Sequence, residues 1–343
     1  MQVDLHVGGQ IYGGWNEIEV FRSLEYVTGD YRLTHTERWA DQPEARSILP
    51  GALCQLKADG QTLINGSVDE SLPFYDSTEH QINVGGRDAT ADLVDCSAID
   101  KQYNGQDLAQ IAADIIKPFG IRLIVEADVG APFDRFDVEN ETAFEAIERA
   151  ARQRGVLLMA DAHGNLVIGK RSTHLLSDGL ELGVNVLSAA GQFSHLDRFS
   201  EYNVVGQTVG TDQFFGALAA TPDAQSRDPA IKRYRPLTVV AEQQGAGQSL
   251  QQRADFERSI RAGRSTRITY AVQGWFMDNG KLWQPNNLVR VVDPFMGRDD
   301  KMLLISCRYT LGPTTGTRTD LEVTRPEAFD LIALPDGGAG YPL

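Results

Sequence analysis

Apolar and polar residues alternate in short runs along the first quarter of the chain. Val3, Leu5 and Val7 share one face before Gly8-Gly9. Ile18 with Val20, Tyr31 with Leu33, and Cys54 with Leu56 repeat that period of two. Ala58-Asp59-Gly60 and Tyr75-Asp76-Ser77 supply turns, and Leu63, Val68 and Ile82 continue the pattern. Runs of this kind bounded by turn residues predict strands and hairpins. Residues 1–98 are therefore expected to form a small β-barrel-like module. Its last stretch, Gln81–Ala98, reads as a seam. Ile82 and Val84 make a strand, and Gly85-Gly86 is expected to break it. Thr90 is placed to cap a helical turn reaching Cys96, anchored by Leu93 and Val94.

The period changes after the seam. Leu108, Ile111, Ala112, Ile115 and Ile116 fall at helical spacing, and Pro118 with Gly120 stops that helix. Ile121 to Val125 reads as a strand. A second helix is expected from about Glu141 to Arg154. Asn140 or Thr142 caps it, with Glu145 three residues past Thr142, Gly155 ends it, and Phe144, Ile147 and Ala151 form its apolar stripe. Val156–Met159 and Leu166–Ile168 should pair around Ala162-His163-Gly164-Asn165. Residues 99–170 are thus an α/β module.

Residues 171–248 read as a mixed connector, with completion of the neighbouring domains as one reading of it. Tyr202–Val205 is a strand in it, and 207–248 is irregular and expected to hold a mobile loop. Residues 249–334 open with a helix, with Ser249 and Gln252 matching a capping box. Strands then return at Ile268-Tyr270-Val272, Leu288–Val292, Met302–Ile305, Tyr309–Leu311 and Leu321–Val323, with a turn at Asp278-Asn279-Gly280. Residues 335–343 are expected to be a flexible tail. The fold class expected is α+β, predominantly β, with two small β-barrel-like modules flanking an α/β module. The two β modules agree in pattern and size, and not in sequence.

The formal net charge of −15 argues against an electrostatic grip on nucleic acid and suits solubility. Three cysteines (Cys54, Cys96, Cys307) are far apart and are expected to be buried and unpaired. The N-terminal MQVDLHVGGQ lacks a basic-then-apolar signal, so folding in a cytoplasm is expected. The two sequons, at Asn65 and Asn140, carry little meaning there. No apolar run is long enough to span a membrane.

Candidate chemistry is sparse. No phosphate loop, dinucleotide fingerprint or nucleophile elbow occurs. The six histidines (His6, His35, His80, His163, His174, His195) show no ligand spacing. Asp134, Asp137, Glu139 and Glu141 are the best carboxylate group. They read either as an acidic approach to a helix N-terminus or as the acid–base pair of a cell-wall hydrolase. Trp275, Phe276 and Trp283, with Trp15 and Trp39, read as core or as a sugar-stacking surface. Arg253, Arg258, Arg261 and Arg264 read as a helix face neutralised by Asp255–Arg258 and Glu257–Arg261 pairs, or as a phosphate-binding face. No catalytic, cofactor-binding or metal-ligating residue is expected.

Five stretches, in order, carry a resemblance: Gly85–Ala98, Arg152–Lys170, Asp197–Gln207, Lys232–Pro236 and Trp275–Asp293. Together they resemble the baseplate hub proteins of Mu-like contractile-tailed phages, which are related to type VI secretion spike hubs. The resemblance implies a non-enzymatic virion protein of the tail baseplate, assembled in the host cytoplasm, with no cofactor. It implies a homotrimeric ring with pseudo-six-fold symmetry that joins the six-fold tail tube to the three-fold central spike. Other baseplate proteins would be partners, and DNA would pass through the channel without specific binding, along an acidic lumen.

Overall fold

The computed structural model describes residues 1–36, 48–77, 80–206, 222–241 and 250–332. Trp39, Ser249, the tail from 335, and most of the loop expected within 207–248 lie outside them. The first lobe holds β1 (Val3–Val7), β2 (Gln10–Tyr12), β3 (Glu17–Ser23), β4 (Asp30–Thr36), β5 (Leu53–Ala58), β6 (Gln61–Tyr75) and β7 (His80–Asp88). Period-two burial is clean where one face is packed: Val3, Leu5 and Val7 are buried, and so are Cys54, Leu56 and Ala58.

Gly85 and Gly86 do not break the strand, as the sequence pattern suggested; β7 runs through both to Asp88. The reason is close approach. A Cβ at Gly86 would press into the Ser67 carbonyl and the Tyr31 hydroxyl. Tyr31 is buried there, 3.1 Å from the Cys54 Sγ, and that burial pushes its phenol well above its ordinary pKa.

The α/β module follows: α1 (Ala91–Asp95), β8 (Lys101–Tyr103), α2 (Leu108–Ile116), β9 (Leu123–Val125), β10 (Phe136–Val138), α3 (Ala143–Arg154), β11 (Leu157–Ala160) and β12 (Leu166–Gly169). Both longer helices start on capping boxes, Asp107 with Gln110 and Thr142 with Glu145, and Gly155 ends α3 at φ 62°. Their buried faces meet Leu158, Leu166 and Ile168 in one core. Two expected anchors differ. Val94 is exposed, because the one-turn α1 buries only Ala91 and Leu93, and Phe144 lies at the edge of the α3 stripe, half-buried. Thr90 does not cap through its side chain; its hydroxyl donates to Asp88, with the Val27 carbonyl 3.2 Å away.

The second lobe contains β13 (Leu180–Glu181), β14 (Val186–Phe193) and, after an insert, more strands. The insert comprises β15 (Glu201–Gly206), β16 (Pro222–Arg227), β17 (Pro236–Ala241) and α4 (Leu250–Arg264). The lobe resumes with β18 (Thr266–Gln273), β19 (Asn287–Asp293), β20 (Arg298–Gly312) and β21 (Gly316–Thr324). Residues read as irregular thus include two strands, β16 and β17, on either side of β15. Val204, Ala224 and Ala254 pack that sheet against α4. The two strands expected within 302–311 are one long strand, β20.

The two β regions are not separate barrels. Among the described residues they share one 13-stranded sheet, open at β14 and β2, and no strand path closes on itself. They join where β3 runs antiparallel to β20, with Val20 opposite Tyr309 and Ile18 opposite Leu311. A single apolar core runs through both lobes, including Leu5, Val20, Tyr270 and Tyr309. The α/β module clamps this junction: Leu157, Met159 and Val167 pack with Leu24, Leu303 and Ile305. The Arg22 Nη2 also donates to the Ala160 carbonyl at 3.1 Å.

The lobes repeat one topology. The first reads β1·β5·β6·β7·β4·β3 across the sheet, and the second β13·β19·β20·β21·β18·β14. Corresponding strands also come in the same order along the chain. β6 and β20 are both 15 residues long. Each gives its first half to the preceding strand and its second half to the next, and each is irregular near its middle, between Val68 and Glu70 and between Leu304 and Ser306. Equivalent buried pairs recur, Leu5 opposite Leu56 and Leu180 opposite Val291. One difference stands: β1 is antiparallel to β5, whereas the two-residue β13 is parallel to β19.

Candidate functional site

The residues singled out for chemistry are placed as structure. Asp137 lies on β10, where it accepts from Arg135 Nε at 2.7 Å and Gln102 Nε2 at 2.8 Å. Arg135, then Gln102, holds its carboxyl below the usual carboxylate range. Glu141 accepts from Arg149 Nη2 at 2.6 Å, and Asp134 and Glu139 point to solvent. Arg149 Nη2 also donates to the Asp137 carbonyl at 2.6 Å, so one guanidinium ties Glu141 to β10. Among the described residues no group of three or more potential metal ligands occurs.

Trp275 and Trp283 are buried and fill the shared core, and Trp275 Nε1 donates to the Thr310 carbonyl at 2.9 Å. They leave no ring face for a sugar. The α4 arginines act as the paired face: Glu257 is buried between Arg253 and Arg261, at 2.7 and 3.3 Å, and Arg258 lies 3.9 Å from Asp255. Cys54 and Cys307 are buried as expected. Cys96 is exposed, because it follows α1 at the surface, which corrects the expectation for that residue.

What the structure does expose is sheet edge. Among the described residues, the outer half of β6 past Val68 pairs only with β7. That half exposes Leu72 (52%) and Phe74 (52%) on one face and Tyr75 (77%) on the other. At the far end of the sheet, β14 across Ser188–Phe193 pairs, among the described residues, only with β18, and it exposes Leu187 (58%) and Phe193 (51%). Its sequence, VLSAAGQF, holds no charge and no proline. Edges of that composition invite another strand, which proteins ordinarily prevent with charge, proline or cover. The matching positions at the β3·β20 junction are covered: Ile18, Val20, Cys307 and Tyr309 are all buried. Sequence reading missed both edges, because alternation marks a strand without saying which side of it is paired. The absence of charge along β14 was the available signal.

Four family models match the chain in order. They are described as Mu phage baseplate assembly protein GpP-like, N-terminal (residues 2–88) and baseplate hub protein gp44-like, second domain (90–170). Tail protein NMB1110-like, third domain (198–255) and Mu phage baseplate assembly protein GpP, fourth domain (246–332) follow. Baseplate hub protein gp44 of Escherichia phage Mu is 30% identical over 342 residues, 95% of this chain and 88% of that one. A 43 kDa tail protein of prophage MuSo2 from Shewanella oneidensis is 39% identical, with a TM-score of 0.85 over 97% of this chain and 100% of its own. An E. coli type VI secretion component shares the fold alone, at 13% identity and a TM-score of 0.62, over 96% of this chain and 80% of that one.

Proposed function

The chain belongs to the baseplate hub family of Mu-like phages, a family of tail structural proteins, and from that premise we propose that three copies form a ring joining tail tube to central spike. The observation that carries this is the repeated strand order of the two lobes. Two topologically equivalent lobes per chain, alternating about a three-fold axis, present six similar surfaces to a six-fold tube and three to a three-fold spike. Closed rotational assemblies of this kind use heterologous contacts that repeat around the axis. The open edges of β6 and β14 are surfaces of the type such contacts consume.

The ring would leave a channel for DNA, lined by the acidic side chains that a net charge of −15 supplies, so the duplex slides without being held. Its place would be the virion baseplate, after assembly in the host cytoplasm with tube, spike and other baseplate proteins. Among the described residues no helix is long and apolar enough to cross a membrane. The alternative of a cell-wall hydrolase has no comparable observation behind it, since Asp137 and Glu141 are each engaged by an arginine.

Light scattering on the purified chain tests the ring. A mass three times the 37.7 kDa of one copy supports it, and a stable dimer or monomer across the concentration series contradicts it. Duplex DNA mixed with the protein at low salt should migrate unretarded; salt-sensitive retention would contradict the channel as described.

A further inference from the structure

Resting on the ring reading, we propose that the tip of the β19–β20 hairpin, which carries Phe295, is the knob by which each copy engages the three-fold spike, and that the six-fold tube does not use it. The inference starts from a place where the internal repeat breaks down at the surface.

Under the repeat, the β5–β6 hairpin of the first lobe corresponds to β19–β20 of the second. The two hairpins close differently. In the first lobe Ala58 pairs with Gln61, so the turn is Asp59 and Gly60 alone, with φ at 44° and 79°. Positive φ at both positions is what so tight a hairpin requires, and Asp-Gly supplies it. This turn is polar and tied to the start of the chain. Asp59 Oδ1 accepts from the Gln2 amide at 2.7 Å, and the Asp59 amide donates to the Gln2 carbonyl at 2.8 Å. In the second lobe Asp293 pairs with Arg298, which leaves Pro294-Phe295-Met296-Gly297 as the turn.

The longer turn holds one side chain outward. The Gly297 amide donates to the Pro294 carbonyl at 3.2 Å, and Gly297 sits at φ 64°. Asp293 is buried, and its Oδ1 accepts from the Met296 amide at 3.0 Å. Met296 packs on the core that both lobes share. Phe295 beside it is 85% exposed, more than any other large apolar side chain among the described residues. An exposed aromatic on a turn that is already fixed can enter a partner's pocket without the cost of ordering the loop, and anchors of that kind carry much of an interface's binding energy.

Symmetry selects the partner. In a ring of three copies, whatever both lobes share appears six times, and whatever one lobe has alone appears three times. At positions that the repeat makes equivalent, three Phe295 tips would alternate with three Asp59-Gly60 turns. Six identical tube subunits cannot complement both, because a socket shaped for Phe295 would meet a polar turn at every second position. A three-fold spike offers one socket per copy and meets the tip each time. That socket is apolar and concave, since removing the Phe295 ring from water is what the contact gains.

Binding of the purified protein to the spike protein and, separately, to the tube protein of the same tail tests the assignment, read by biolayer interferometry. Phe295→Ser should keep the trimer mass and the Tm, since Phe295 is exposed. It should lose spike affinity by at least about a hundredfold, because three equivalent anchors go at once, and keep its tube affinity. Phe295→Leu should retain most of the affinity for the spike; a loss equal to that of the serine variant contradicts an apolar socket. Spike affinity unchanged in Phe295→Ser, or tube affinity lost in its place, overturns the knob and leaves the ring standing. Loss of the trimer in Phe295→Ser also overturns it, since the tip then belongs to a contact between copies. An unsubstituted chain that forms no trimer, or a trimer that binds no spike, overturns the ring reading and the knob with it.

Discussion

Gly86 shows how a single residue can carry meaning that the sequence hides. In sequence, two consecutive glycines look like a strand end. In the structure Gly86 is the place where β7 passes against Tyr31 and the Ser67 carbonyl, with no room for a Cβ. Gly86→Ala should cost at least about 2 kcal/mol, since inserted bulk in a packed core forces its neighbours to move. Thermal denaturation will show it as a lower Tm, and an unchanged Tm would mean that β6 and β7 can part. Asp228 is the second such residue. Burial alone would raise its carboxyl, yet Arg198 at 2.5 Å and the Ala230 amide at 3.0 Å override that and lower it. A lowered folded pKa means that its stabilisation is complete above the ordinary carboxylate value of about 3.9. It is lost as pH falls below that value through the folded one. Asp228→Asn should destabilise the β15–β17 and α4 unit by about 3 kcal/mol at neutral pH, because Arg198 stays behind without its partner. The acid sensitivity of that unit, followed by hydrogen exchange, should shrink in the variant.

Elements were legible where their signal is local. The α2 and α3 helices, the 3-10 turn over Lys117–Phe119 that follows α2 and closes at Gly120, the stop of α3 at Gly155, and the Thr142–Glu145 box are all written in nearby residues. Thr142→Ala should cost about 1 kcal/mol, read from urea denaturation, since one backbone donor of α3 loses its acceptor. The strands β16 and β17 were illegible for the opposite reason. PDAQSR lacks alternation, and its strand form comes from pairing with β15 and from α4 packed across Ala224. The long β20 was split in sequence because its bulge at Ile305 interrupts the period of two; that residue turns instead to the α/β module. The carboxylate run at 134–141 suggested a site only because sequence proximity does not say that Asp137 and Glu141 will each meet an arginine while Asp134 and Glu139 face solvent.

At the scale of the whole molecule, the two β modules were visible as pattern, but their joining was not. The β3·β20 junction links residues 18–23 to residues 306–311, and neither strand names the other in sequence. The junction has a consequence. A chain whose two lobes share one sheet and one core cannot swing them independently, so the proposed ring would find their relative placement already set within each copy. End-on electron-microscopy class averages of the purified protein test this most directly. The account predicts an open ring with six similar lobes and true three-fold symmetry. A particle with three lobes, with two-fold symmetry, or with no central opening would contradict it.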